Sequence, residues 1–201
     1  MILTRRPLLL LVLATACGSH DEPATDTARV SATARSREPA PILPDTVMQS
    51  SSSSRWVVTP TSFGPVLAGM SLPALGSALG ERVRASYNAG SRCTYVRPAA
   101  LPMGVLVMVQ GDTVARVDIR AVGVRTAEGA GVGDTESSVL ARYAGRVRAA
   151  PHKYTGPEGH NLIVSAPPDT THLIIFETDG RTVTSYRAGR RPAVELVEGC
   201  A

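Results

Sequence analysis

The feature that most constrains this chain is a near-repetition. Gly69-Met70-Ser71-Leu72-Pro73-Ala74-Leu75-Gly76-Ser77-Ala78-Leu79-Gly80 is echoed by Gly133-Asp134-Thr135 through Val139, Tyr143 and Gly145. Laying Gly69 on Gly133 sets Ser71 on Thr135, Leu75 on Val139 and Leu79 on Tyr143. Each segment has a hydroxyl residue at a helix N-cap, one apolar face and a glycine at or beside its end, so the same short helix is predicted twice. Pro73 falls in the first turn, where its missing N–H is not needed. The echo continues into Val109-Gln110-Gly111-Asp112-Thr113-Val114 and Thr178-Asp179-Gly180-Arg181-Thr182-Val183. A period of about 64 to 69 residues is too long for a solenoid and fits two copies of a small α+β unit.

Strand signals follow each helix. Cys93–Val96 and Val105–Val109 read as buried strands, and across Val114–Val122 the residues Val117, Ile119 and Ala121 alternate with Arg116, Asp118 and Arg120. That period of two predicts one dry face and one solvated, charged face. Leu162–Val164, Leu173–Phe176 and Val183–Tyr186 read as three more strands, the last two joined through Asp179-Gly180. Ala193–Val197 is expected to add an edge strand, and Asp118 and Glu177 are expected to be solvated charges. The predicted class is α+β, in two tandem units of about 56–125 and 126–201, each a short helix packed on an antiparallel sheet after a disordered tether.

Residues 1–16 carry a basic start (Arg5, Arg6), an apolar run from Leu8 to Leu13 and small residues before Cys17, the pattern of a secretory signal. The Ala14-Thr15-Ala16-Cys17 end resembles the lipobox of bacterial lipoproteins, and that resemblance implies an acylated Cys17 at the mature N-terminus. Cleavage near Ala16, leaving a free thiol and a secreted protein, is the alternative. Residues 17–55 are dominated by Ser, Thr, Ala and Pro, closing on Ser50 to Ser54, and read as a flexible, lipidated linker. The expected location is the bacterial cell envelope, as an outer-membrane lipoprotein facing the periplasm.

The formal charge of +4 includes Arg5 and Arg6 of the export segment, so the remainder carries about +2. Lys153 is the only lysine, and the arginines are scattered, which argues against a nucleic-acid partner. With Cys17 assigned to lipid, Cys93 and Cys200 remain as an even pair in an oxidising compartment and are expected to form a disulfide.

A helix followed by antiparallel strands, twice over behind a lipobox, resembles the tandem modules of β-lactamase inhibitory protein. In single-copy form it is similar to the small outer-membrane lipoprotein A of the barrel-assembly machine. The resemblance rests on Gly69-Met70-Ser71 with Leu75 and Leu79, and on Gly133-Asp134-Thr135 with Val139 and Tyr143. It implies a protein-binding or envelope-structural role with an envelope protein as partner. This chain has room for one helix per copy, where those modules usually have two.

The polar segment from His152 to His160 has no counterpart of equal length in the first copy. His152, Lys153, Tyr154, Glu158 and His160 are its candidate partner-binding residues. Three potential ligands on a Gly/Pro-rich loop lack a metal-site spacing, so neither metal nor cofactor is expected. The enzymatic alternative is an envelope hydrolase with His152 as general base beside Glu158. No nucleophile elbow, phosphate loop or dinucleotide fingerprint is present.

Overall fold

The computed structural model describes residues 55–200. The expected signal segment 1–16, the expected acylation at Cys17 and the expected linker up to residue 54 lie outside the described residues. The described chain is mostly sheet with two short helices.

It opens with three two-residue strands, β1 (Val57–Val58), β2 (Ser62–Phe63) and β3 (Val66–Leu67). These form a small sheet in the order β3-β2-β1-β7, in which β7 (Arg125–Thr126) runs parallel to β1. Trp56 stacks on Phe63 with ring centroids 4.8 Å apart.

Helix α1 (Leu72–Leu79) starts where predicted: the Ser71 hydroxyl accepts from the Ala74 N–H at 3.3 Å. It ends because Gly80 turns into the left-handed region at φ 72°, which a side chain would disfavour. Helix α2 (Glu136–Arg142) has the same start, with the Thr135 hydroxyl accepting from the Ser138 N–H at 3.2 Å. Leu75, Val139 and Tyr143 are fully buried, each aliphatic side chain contributing about 1.5–3 kcal/mol by leaving water.

The large sheet has seven strands: β4 (Cys93–Val96), β5 (Val105–Gln110), β6 (Thr113–Ile119), β8 (Val147–Pro151), β9 (His160–Ala166), β10 (Asp169–Thr178) and β11 (Val183–Arg190). Their order is β4-β5-β6-β11-β10-β9-β8, antiparallel throughout. Two meanders therefore meet at the β6·β11 pair, where Asp118 stands opposite Arg187 and Arg116 opposite Gly189. Gly189 permits that approach, since a Cβ there would lie 2.5 Å from the Ala115 carbonyl oxygen. One sheet face carries the main core with both helices. On the other, Met108 and Ala115 pack under Ala193, while Leu173 and Ile175 pack under Val194.

Each helix entry is bonded to the last strand of its meander by the same three backbone bonds. Gly69 N–H donates to Val114 O (2.7 Å), Val114 N–H to Met70 O (2.8 Å) and Leu72 N–H to Asp112 O (3.1 Å). In the second half, Gly133 N–H donates to Val183 O, Val183 N–H to Asp134 O and Glu136 N–H to Arg181 O, all at 2.9 Å. The two hairpins are also irregular at matching places, between Met108 and Val109 and between Glu177 and Thr178.

Four expectations need correction. Strand β6 stops at Ile119 and does not reach Val122, whose side chain is 80% exposed. No strand is expected over Val147–Pro151, where β8 forms, although Arg146-Val147-Arg148-Ala149 alternates charged and apolar residues. The tail adds no edge strand: Ala193–Glu195 is a single 3-10 turn laid across a sheet face. That placement overturns the expected solvated face as well, because Arg116 and Arg187 are 3% and 4% exposed.

Candidate functional site

The most concentrated polar chemistry lies on the tail-covered face. Arg116 on β6 grips Asp118 with both arms of its guanidinium, Nε to Oδ2 and Nη2 to Oδ1, each at 2.9 Å. Its Nη1 donates to the carbonyls of Ala193 (2.7 Å) and Leu196 (2.6 Å), and Nη2 also donates to the Tyr95 hydroxyl (2.8 Å). Arg187 on β11 donates from Nε to the Val194 carbonyl at 2.6 Å and pairs through Nη1 with Glu177. The Ser185 hydroxyl donates to the other Glu177 oxygen at 2.7 Å. Within the turn the Ala193 carbonyl accepts only a long bond from the Leu196 N–H (3.3 Å), while the carbonyls of Val194 and Leu196 have no backbone donor among the described residues, and arginine brings five donors in a rigid fork. Two arginines on adjacent central strands thus clamp residues 193–196 to the sheet. Beyond the turn, Cys200 is disulfide-bonded to Cys93 on β4, with Cα atoms 5.3 Å apart.

The two carboxylates feel opposite net pushes. Burial raises the Asp118 pKa, and Arg116 only partly offsets it. Burial also pushes Glu177 up, but the Ser185 hydroxyl and the Arg187 guanidinium outweigh it and leave that carboxyl below its ordinary value. A depressed acid contributes stability above its unfolded pKa, about 4.3 for Glu, and loses it as pH falls through the folded value; a raised acid does the reverse. Glu177 therefore contributes to acid lability and Asp118 opposes it. Glu177→Gln is expected to flatten the fall in urea midpoint between about pH 5 and about pH 3. An acid limb as steep as that of the parent chain would contradict the assignment.

Between the arginines and tail residues Val197–Gly199 lies a cavity of about 160 Å³. Both carboxylates beside it are already paired with guanidinium groups. The arrangement suits holding a chain segment.

The loop between β8 and β9 spreads its candidate residues apart. His152 points inward, with Nδ1 accepting from the Tyr154 and Thr155 N–H groups at 3.2 Å and Nε2 3.9 Å from Glu177. His160 faces the other way, its Nδ1 3.1 Å from Glu136 at the start of α2, whose carboxylate also accepts from the Thr178 hydroxyl. Lys153 pairs with Glu198 at 2.8 Å and the Tyr154 hydroxyl bonds the same carboxylate, so the loop is tied to the tail. Tyr154 remains 58% exposed. Glu158 forms no ion pair with His152; its backbone carbonyl packs on Gly180, where a Cβ would come within 2.3 Å. Among the described residues no three His, Cys, Asp or Glu side chains form a metal-holding group, and no helix is long and apolar enough to cross a membrane.

The arginine clamp escaped the sequence reading, yet two signals for it existed. Val105–Val109 is apolar without alternation, as expected of a strand covered on both faces. Arg116 and Arg187 also each sit between apolar neighbours.

No protein-family model matches the chain, and no curated protein does. Among solved structures, the crystal structure of the uncharacterized protein YfeY from Escherichia coli aligns with 67% of this chain and 99% of its own length. The identity is 14% and the TM-score 0.30, too loose a likeness to carry an argument.

Proposed function

We propose that the protein is a cell-envelope lipoprotein whose folded part is a non-catalytic protein-binding or envelope-structural module made of two tandem α+β units, about 56–125 and 126–201. The observation that carries the reading is the matched set of three backbone bonds at each helix entry, with the same residue offsets as the sequence echo. Duplication of a small unit enlarges a surface without assembling catalytic groups. The clustered charges beneath the tail are engaged in holding it, which fits a scaffold. In this reading Cys17 carries the lipid, the linker sets the reach from the membrane, and the loop bearing His152, Lys153, Tyr154, Glu158 and His160 meets an envelope protein.

Intact-mass analysis of the membrane fraction is expected to find a mature chain beginning at Cys17 with acyl mass. A chain cut elsewhere and free of acyl mass would remove the anchor. Pull-down from envelope extract is expected to recover a defined partner that is lost when the loop sequence is scrambled. Equal recovery with the scrambled loop would remove the role given to that loop.

A further inference from the structure

The echo between the two halves runs further than the helices. Arg82-Val83-Arg84-Ala85 and Arg146-Val147-Arg148-Ala149 are identical, and they follow α1 and α2 at the same relative position. In the second half the last three residues of this sequence open edge strand β8, paired with β9 through Val147↔Val164 and Ala149↔Leu162. In the first half it pairs with nothing, although its burial alternates as in a strand: Val83, Ala85 and Tyr87 pack against the core, and Arg82, Arg84 and Ser86 are exposed.

The segment is pinned at both ends. The Glu81 carboxylate accepts from the N–H groups of Ala99 (3.2 Å) and Ala100 (2.8 Å), beyond the end of β4. At the other end the Tyr87 hydroxyl donates to Asp112 Oδ1 (2.8 Å) and accepts from the Asp112 N–H (3.1 Å). Among the described residues, no backbone–backbone bond involves residues 82–86, and β4 pairs only with β5. A cleft of about 420 Å³ separates Arg82–Arg84 and Ser86 from Tyr95–Pro98 on the outer edge of β4.

We propose that this cleft is a strand-addition site for an extended acidic peptide of a partner protein, which enters as an eighth strand beside β4. At Cys93 the Ser91 hydroxyl already holds both the backbone N–H (3.1 Å) and the C=O (3.0 Å); beyond it, among the described residues, the outer β4 edge has no backbone partner, and an extended chain satisfies such an edge by pairing. The pins at Glu81 and Tyr87 hold the facing segment off β4 and keep that edge open. Charge sets the partner's sign: Arg82, Arg84 and Arg97 line the cleft, are exposed, and form no ion pair among the described residues. The one acidic side chain there, Glu81, is engaged with the Ala99 and Ala100 amides. Strand β4 is four residues long, so the peptide engages over about four to six residues. This surface is separate from the His152–His160 loop and does not depend on the membrane anchor.

The test uses the full-length chain in detergent and a labelled, end-blocked eight-residue peptide alternating Val and Glu. Hydrogen exchange of the β4 amides is expected to slow on saturation. Binding is expected to weaken about tenfold or more in Arg84→Glu with Arg97→Glu, with Lys in place of Glu in the peptide, and with alternate peptide amides N-methylated. Both substituted arginines are exposed, so the variant retains the fold. Four results would overturn the proposal: no binding, equal binding of the Lys peptide, amides of residues 82–86 and β4 already protected together in the free chain because the segment has closed on β4, or β4 protection that rises only with protein concentration because two copies pair edge to edge.

Discussion

Arg116→Ala is expected to destabilise the fold by about 3 to 5 kcal/mol, the range for removing one partner of a buried ion pair. Arg116 is 3% exposed and Asp118 22%, so the abandoned carboxylate has little water to turn to. The same change strips the Leu196 carbonyl and the Tyr95 hydroxyl of their donor and leaves the Ala193 carbonyl only the Leu196 N–H at 3.3 Å, at about 1 to 3 kcal/mol for each buried group that finds no replacement. The separate costs do not add, because the tail can lift and let water reach its carbonyls. Urea denaturation under oxidising conditions measures the loss. Adding Asp118→Asn to the variant is expected to recover part of it, since the orphaned charge is gone. A loss under about 1 kcal/mol would class the pair with ordinary surface ion pairs and remove the clamp.

The parts of the fold that were legible are those decided by neighbours in sequence. Ser71 and Thr135 cap helices through an N–H three residues on, Gly80 ends α1 by its own backbone angle, and Asp179-Gly180 turns a hairpin. A period-two pattern states which residues share a face but not what covers that face. Arg116, Asp118, Glu177 and Arg187 have the spacing of solvated strand charges, and a turn from the far end of the chain lies on them instead. Strand β8 makes the same point more sharply: Arg-Val-Arg-Ala is paired after α2 and unpaired after α1, so the tetrapeptide cannot decide the matter. The candidate loop was legible as unusual composition. Its division into an inward His152, an outward-tied Lys153 and Tyr154, and a helix-facing His160 depended on partners on β10, the tail and α2, remote in sequence.

Replacing Cys93 and Cys200 together by serine is expected to cost about 2 to 5 kcal/mol, close to the Arg116→Ala loss but through a different state of the chain. The bond closes a loop of 107 residues, whose chain-entropy estimate is about 4 to 5 kcal/mol, acting on the unfolded ensemble. In the folded protein the tail has other holds: the Arg116 and Arg187 bonds to residues 193, 194 and 196, and Ala193 and Val194 buried on the sheet. The double-serine variant is therefore expected to keep the tail docked in its native state, with amide exchange at residues 193–196 slowed as in the parent, while its urea midpoint falls. Adding Arg116→Ala removes two of the three guanidinium bonds to the turn and leaves only the Arg187 bond and the buried Ala193 and Val194, so the combined loss of tail protection is expected to exceed the sum of the single effects. Carboxypeptidase trimming reads this directly: slow in each variant alone and fast in the combination. Rapid trimming of the double-serine variant by itself would show that the disulfide, and not the arginine pair, seats the tail.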